Sequence, residues 1–219
     1  MEEQVITSLR QFFSSYKTLS YRKRETMLRV DDTPQGVYFI TKGFVRFYSL
    51  STEGEELTLL LFKPHDFFPV RWAITGRPLY YSYETMTPVE AIRAPRIAFI
   101  DYLKQNPEVL FQITGSILIR LNTTFERMKY LVFGNAYEKV ASMFVLCVLH
   151  YGKEKGKSVI IEVPLTHQDI ATLIGLTRET VSVEIGKLTR KGILTDLGKQ
   201  FCVNDIEKLK KEARWSTEG

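Results

Sequence analysis

Cysteine is scarce in this sequence. The two cysteines, Cys147 and Cys202, are too few for a disulfide framework, and neither has the close Cys or His neighbours that zinc or an iron–sulfur cluster needs. We therefore predict no metal, no cofactor and a reducing, cytoplasmic location. Cys147 lies in an apolar stretch, so we expect it to be a small buried side chain and not a redox sensor.

Long hydrophobic runs are also absent. The longest, Met143–Leu149, is far short of the ~20 residues that span a bilayer, and the first thirty residues lack a signal-peptide core. We predict no membrane contact. The three histidines, His65, His150 and His167, are isolated from second ligands, which favours solvated or helix-capping roles. No nucleophile–base pair or phosphate loop is recognisable, so we predict no enzymatic activity.

The composition is that of a folded protein. Of 219 residues, 44% are hydrophobic and 25% are charged, a length that favours two domains. With 30 Lys+Arg against 25 Asp+Glu, the net charge of +5 permits a nucleic-acid partner without requiring one.

The region from Leu19 to about Pro95 has the alternation of short strands. Turn signals such as Lys42-Gly43 and Thr52-Glu53-Gly54-Glu55 separate these strands. So many short strands predict a barrel or a roll. The predicted strands are Glu25–Val30, Gly36–Ile40, Phe44–Leu50, Glu56–Phe62, Ser82–Thr87 and Val89–Ala94.

Helical periodicity begins at Ile97. A short helix ends at Asn106, and a long one runs from about Pro107 to Phe133. Its apolar stripe, spaced 3 and 4 residues apart, fits packing on the strand domain or on a second copy of the chain. Because 27 helical residues extend ~40 Å, beyond a small roll, we predict a dimer. The predicted interface is Leu118, Leu121, Phe125, Met128 and Val132.

The segment Phe133-Gly134-Asn135-Ala136 interrupts the periodicity, and we predict a hinge between domains there. An apolar helix follows at Tyr137–Tyr151, and Gly152–Lys157 is predicted to be a polar loop.

Two short helices are predicted after Pro164. Thr166 is a good N-cap with Asp169 three residues later, Gly175 suits the closing turn, and Thr177 caps the second helix. Leu176 is expected to enter the core, and the apolar positions of the second helix face inward. Those positions are Val181, Ile185 and Leu188. This pattern indicates a helix-turn-helix.

A two-stranded wing is predicted next. Gly192–Thr195 and Gln200–Val203 read as strands around the turn Asp196–Lys199, and Asn204 is predicted to cap a last helix. A helix-turn-helix followed by a wing predicts DNA binding, although two helices around a glycine also occur in other folds.

The second helix carries the predicted base contacts. Arg binds guanine O6/N7, Glu accepts from cytosine N4, and valine contacts a thymine methyl, whereas Lys187, Arg190 and Lys191 suit phosphates. The predicted DNA-contact residues are Thr166, His167, Thr177, Arg178, Glu179, Ser182, Val183, Lys187 and Arg190.

Three stretches carry a family resemblance. They are Gly36–Arg46, Asp66-Phe67-Phe68 and Leu165–Ala171, continued by Gly175–Ser182. Through them the sequence resembles the Crp/Fnr family of bacterial transcription regulators over nearly its whole length. The resemblance implies an α+β chain: an antiparallel, jelly-roll-like β-roll (residues 1–106), a long dimerisation helix with its hinge (107–134) and a C-terminal winged helix-turn-helix (135–219). It also implies a homodimer on a palindromic DNA operator, with RNA polymerase as a candidate partner.

The sequence departs from the family where cyclic AMP is held. Members that bind it have Gly-Glu-Leu after the Phe-Phe pair and, later, Arg followed by Ser or Thr; here Pro69-Val70-Arg71 and Leu79-Tyr80-Tyr81 stand at these places. Losing the arginine costs a charge-assisted hydrogen bond of roughly 1.5–3 kcal/mol. Cyclic AMP is therefore not expected as the effector, unless Arg71 turns into the pocket.

Aromatic residues replace the ligand cassette. They form either an apolar pocket for another small molecule or a filled, ligand-free roll, and we favour the filled roll. The candidate pocket residues are Phe68, Val70, Arg71, Trp72, Leu79, Tyr80 and Tyr81. The second helix of the helix-turn-helix also departs from the family pattern, because Val183 stands where many members have a second arginine.

The sequence thus predicts a DNA-binding transcription regulator acting as a homodimer and not responsive to cyclic AMP. The alternative is a small-molecule-sensing module that signals through protein contacts.

Overall fold

The computed structural model describes residues 3–215 and has two compact units, one up to Arg120 and one from Leu121 onward. The elements before the long helix are α1 Glu3–Ser14, β1 Lys17–Tyr21, β2 Thr26–Leu28, β3 Val37–Lys42, β4 Val45–Leu50, β5 Glu56–Phe62, β6 Phe67–Phe68, α2 Val70–Thr75, β7 Ser82–Thr85, β8 Val89–Ala94 and α3 Arg96–Gln105. The long helix and the elements after it are α4 Pro107–Phe133, α5 Ala136–Tyr151, β9 Gly152–Lys155, β10 Ser158–Ile161, α6 His167–Ile174, α7 Arg178–Arg190, β11 Leu194–Asp196, β12 Phe201–Val203 and α8 Ile206–Glu212.

The first unit is an antiparallel β-roll of two four-stranded sheets, ordered β1-β8-β3-β6 and β2-β7-β4-β5. Strand β3 is buried on both faces. Tyr38 and Ile40 enter the core between the sheets, whereas Val37 and Phe39 pack with side chains of α1 and α3. A strand that is buried on both faces has apolar residues at successive positions and not only at every second one. The roll, the long helix and the helix-turn-helix confirm the predicted α+β fold class.

All six predicted strands are present, and those at Glu56–Phe62 and Val89–Ala94 have the predicted bounds. Two strands of the roll, β1 and β6, were not predicted. Strand β1 lies at a sheet edge with mostly exposed side chains, and β6 has only two residues. Strand β1 is too polar, and β6 is too short, to give a clear period-2 signal.

The second unit consists of α5–α8 and a sheet ordered β11-β12-β10-β9, with α5 and α7 packed on the sheet. Phe144 and Phe201 meet edge to face in its core, with ring centroids 4.9 Å apart. The prediction of a polar loop at 152–157 is wrong, because Gly152–Lys155 is strand β9, paired with β10. All four β9 residues are exposed, so backbone pairing and not side-chain burial makes this edge strand.

Helix boundaries follow local capping. The predicted Pro107–Phe133 helix is confirmed, and Asn135 begins α5 in a capping box with Glu138. The predicted cap of the last helix is wrong by one residue. Asp205 caps α8 by accepting from Lys208 N at 2.9 Å, while Asn204 Nδ2 donates to the Gly192 carbonyl at 3.1 Å.

Between Glu3 and Trp215, none of the helices is both long and apolar enough to cross a membrane.

Two turn glycines of the roll allow a matched test. Gly43 (φ 87°) lies between β3 and β4, where an added Cβ would be 2.3 Å from the Pro88 carbonyl oxygen; Gly54 (φ 84°) has no atom within 4 Å of that position. Both alanine variants carry the positive-φ strain, but only Gly43→Ala also overpacks. We predict that Gly43→Ala lowers the free energy of unfolding by about 1–3 kcal/mol more than Gly54→Ala. Urea unfolding followed by circular dichroism measures the difference, and equal losses would contradict the clash.

Candidate nucleic-acid interface

The turn between α6 and α7 is held by its own caps. Thr166 Oγ1 accepts from Asp169 N at 3.1 Å, and Thr166 N donates to an Asp169 carboxylate oxygen at 2.9 Å. Gly175 closes α6 with φ 63°, a left-handed conformation that suits glycine. Thr177 then begins α7 by accepting from Thr180 N at 3.2 Å. The predicted caps Thr166 and Thr177 and the closing Gly175 are confirmed.

Helix α7 has one buried face and one exposed face. Val181, Ile185 and Leu188 are buried, as predicted from their spacing. The opposite face presents residues of several chemistries to solvent. These exposed residues are Arg178, Glu179, Ser182, Val183, Lys187 and Arg190. The start of α7 therefore offers a cation, a carboxylate, a hydroxyl and an apolar group on one surface.

An open groove of about 520 Å³ joins the start of α6, the start of α7 and the wing. The structure brings the predicted residues Thr166, His167 and Arg178 together here, and it adds Gln168, Asp196 and Gly198. The wing turn is ordered by hydrogen bonds from Gly198 N to Asp196 Oδ1 (2.7 Å) and from Leu197 N to the Gln200 carbonyl (2.9 Å).

His167 connects α6 to the wing. Its Nε2 lies 3.4 Å from Asp196 Oδ2, and its ring stacks on Phe201 with centroids 6.2 Å apart. The imidazole thus faces a carboxylate on one side and an apolar ring on the other. No group of three or more Cys, His, Asp or Glu that could hold a metal ion is found within residues 3–215.

A second open groove, of about 450 Å³, lies at the end of α7 and is lined by Tyr137, Lys187, Arg190 and Lys191. Glu212 organises one side of it, because its Oε2 accepts from both Tyr137 Oη (2.9 Å) and Lys191 Nζ (2.8 Å). Lys191 also lies over the Tyr137 ring, 4.9 Å from its centroid. The Lys191 ammonium lowers the pKa of Glu212, and this carboxylate in turn raises the pKa of Lys191.

Lys187 pairs with a different carboxylate from Lys191. Its Nζ is 2.7 Å from Oε2 of the buried Glu184. The groove therefore gathers three cations and a phenol, a chemistry suited to phosphate oxygens.

Sequence reasoning did not single out Gln168, Asp196, Gly198 or Tyr137 as site residues. Gln168 adjoins Thr166 and His167, so the N-terminal position on α6 could have indicated it. Tyr137 lies fifty residues before Lys187 and carried no local signal; only the packing of α5 beside α7 reveals it.

The seven candidate ligand residues of the roll are divided between interior and surface. Phe68 and Leu79 are buried between the sheets, and Trp72 packs against them. Arg71 and Tyr80 are exposed. Arg71 donates to the Pro78 carbonyl, and its guanidinium lies 4.6 Å from the centroid of the Tyr80 ring. Val70 is partly buried against the helices.

Aromatic rings fill the space between the sheets near Phe68. Phe68 stacks on Tyr83 with centroids 4.6 Å apart and on Tyr38 at 5.6 Å, and Phe62 lies 5.3 Å away. Tyr81, the last candidate, packs edge to face on Phe47 at 4.8 Å. Burial raises the pKa of Tyr83, so its phenol is neutral at physiological pH.

The predicted dimer residues of α4 are all solvent-exposed in the single chain. Leu118, Leu121, Phe125, Met128 and Val132 are each 46–67% exposed. Cys147, by contrast, is buried in α5, and burial raises the pKa of its thiol to about 12.

Two family models match the sequence of these regions. The model described as a cyclic nucleotide-binding domain matches residues 18–106, and the one described as a Crp-like helix-turn-helix domain matches residues 138–212. The chain belongs to the Crp/Fnr family of transcription regulators. It is therefore a DNA-binding regulator and not an enzyme, as the sequence predicted.

Curated relatives from this Crp/Fnr family are similar along most of their length. The global nitrogen regulator of Nostoc sp. is 27% identical over 187 residues, which cover 84% of each chain. The CRP-like cAMP-activated global transcriptional regulator of Mycobacterium tuberculosis is 25% identical over 196 residues, 90% of this chain and 88% of the relative.

A solved Crp/Fnr-type structure shows the same fold. A CooA variant from Carboxydothermus hydrogenoformans superposes with a TM-score of 0.76 at 21% identity, over 93% of this chain and 90% of the other.

Proposed function

We propose that this Crp/Fnr regulator is a homodimer that reads a palindromic DNA operator with two copies of α7, and that its roll does not respond to cyclic AMP. The observation that carries the proposal is the start of α7: a capped helix with a buried apolar face and exposed Arg178, Glu179, Ser182 and Val183. RNA polymerase stays a predicted partner.

Base reading is assigned to the first two turns of α7. Arg178 donates to guanine, Glu179 accepts from cytosine N4, and Val183, 56% exposed, contacts a thymine methyl. A valine cannot make the hydrogen bonds of an arginine, so the half-site differs from that of family members with arginine at this place.

Phosphate contacts are assigned to both ends of this surface. Thr166 and His167 line the groove at the start of α6, and Thr177 is the N-cap of α7 beside it. Lys187 and Arg190 line the groove at the end of α7. These positions fix the register of α7 on the duplex without reading sequence.

The dimer is assigned to α4. Its five exposed apolar residues recur at spacings of 3, 4, 3 and 4, which is the pattern of a coiled-coil seam. Each of these side chains is 46–67% exposed in the single chain, so the stripe is an exposed apolar surface. A second copy of α4 is self-complementary to it and places the two recognition helices in a symmetric pair.

The proposal on cyclic AMP rests on two observations. No carboxylate and no arginine stand at the family's ribose and phosphate positions, and Arg71 is occupied at the surface with Pro78 and Tyr80. In addition, Phe62, Phe68 and Tyr83 fill the interior. The Mycobacterium relative is named cAMP-activated; this chain lacks the groups that such binding uses.

The first prediction concerns base reading. On an operator selected from random DNA, Glu179→Ala should relax preference at one base pair of each half-site, by about 1–3 kcal/mol, and Val183→Arg should shift preference toward guanine at its own position. Gel shifts with single-base operator variants measure both effects. Glu154→Ala, on the exposed strand β9, is the matched control and should change nothing. Unchanged base preference in both recognition-helix variants would contradict the assignment.

The second prediction concerns the seam. Phe125→Glu removes an apolar contact from each protomer, which at ~1.5–3 kcal/mol per side chain weakens dimerisation by about 10²- to 10⁴-fold. Sedimentation velocity across a concentration series reports the change. Ile119→Glu, at a position of α4 that is 65% exposed against 55% for Phe125 and lies outside the stripe, should leave the dimer intact. A Phe125→Glu protein as dimeric as wild type would show that α4 does not form the interface.

The third prediction concerns the effector. A ligand at 100 times its dissociation constant stabilises a protein by ~2.7 kcal/mol, a shift of roughly 5–10 °C for a chain of this size. We expect no shift in melting temperature with millimolar cyclic AMP. The cAMP-activated Mycobacterium relative, measured in the same buffer, is the positive control. A saturable shift in this chain would overturn the proposal.

A further inference from the structure

The second half of α4 carries a further stripe on a different face from the seam. Thr123, Arg127 and Tyr130 are spaced 4 and 3 residues apart, so they lie along one side of the helix. The seam residues Phe125 and Met128 alternate with them in sequence and are exposed.

Each residue of this inner stripe contacts a different part of the second unit. Thr123 Oγ1 lies 3.3 Å from His150 Nε2 on α5. Arg127 donates through Nη2 to the Leu173 carbonyl on α6. The Tyr130 ring stacks on Trp215 after α8, with centroids 5.0 Å apart.

The Arg127 contact falls at the turn of the helix-turn-helix. Leu173 lies in the last turn of α6, two residues before Gly175, where carbonyls have no partner within the helix. A cation is favoured at this end because the helix dipole is negative there. Burial lowers the pKa of Arg127 to about 10, so the guanidinium stays charged at neutral pH.

We infer that Arg127 is a positioning residue that fixes the helix-turn-helix to the helix carrying the dimer seam, and so sets the spacing between half-sites that the dimer accepts. The inference rests on the proposed homodimer. Few residues separate the proposed dimer seam from the recognition helix, which supports this role. Arg127 lies between the seam residues Phe125 and Met128 in sequence, and its partner Leu173 precedes the start of α7 by five residues.

An arginine is suited to this position because its planar guanidinium combines charge, reach and several donors. Methionine keeps the apolar stem and removes the donor and the charge. Lysine keeps the charge but replaces the planar guanidinium with a single ammonium group, so it should retain part of the positioning function.

The experiment compares operators in which the same two half-sites are separated by the preferred spacer or by one or two base pairs more or fewer. For each protein, affinity is measured for every spacer and for a single half-site, at one salt concentration. Wild type should prefer one spacer strongly. Arg127→Met should reduce that preference by about tenfold, the effect expected for one charge-assisted hydrogen bond, with half-site affinity and dimerisation unchanged.

Arg127→Lys should fall between wild type and Arg127→Met. Lys104→Met, which removes an exposed cation from α3, is the matched control for lost charge and should retain the full preference. If Arg127→Met does not fold, Arg127→Lys remains the test, together with amide exchange at residues 173–178, which should accelerate.

The outcomes separate the two proposals. A wild-type protein that binds as a monomer, or without any spacer preference, overturns the proposed homodimeric reading. A wild-type preference retained in full by Arg127→Met and Arg127→Lys overturns the positioning role alone. An equal loss of affinity for the half-site and for every spacer also overturns it, because that result marks a general structural role.

Discussion

The recognition surface depends on the burial of one face of α7. Val181, Ile185 and Leu188 are held in the second unit's core, and this burial decides which side chains of the same helix meet solvent. Each such side chain contributes roughly 1.5–3 kcal/mol when buried, more than any single exposed polar contact offers. The caps at Thr166, Gly175 and Thr177 then set where the helix begins, and therefore which residues occupy its first turn.

The roll is governed by a different constraint, namely filling space between two sheets. Phe62, Phe68 and Tyr83 pack against one another between the sheets, and their rings lie at distances typical of stable aromatic pairs. The polar groups nearest to the family's cassette positions, Arg71 and Tyr80, interact with each other at the surface. These contacts support the proposal that the roll of this Crp/Fnr member acts as a scaffold, from which the proposed dimer helix α4 follows in sequence.

Local patterns predicted much of the fold. Strand β5 and helix α4 have the expected bounds because their periodicity is long and their ends carry turn residues or proline. The misses are elements without such signals. Strand β9 is polar throughout and forms through backbone pairing with β10, and the cap of α8 moved from Asn204 to Asp205 because Asn204 is engaged with Gly192.

The sequence by itself determined the main helices and strands, the family and the residues exposed at the start of α7. The helices, most of the strands and the exposed face of α7 follow from patterns among residues close together in the chain, and the family follows from short motifs. Tertiary structure alone decided that Tyr137 joins Lys187 and Lys191 beside Glu212, that Asp196 faces His167, and that Arg127 reaches the turn before α7. Such contacts join residues from 21 to 75 positions apart. They depend on how several helices and strands pack together, which no local period of the sequence encodes.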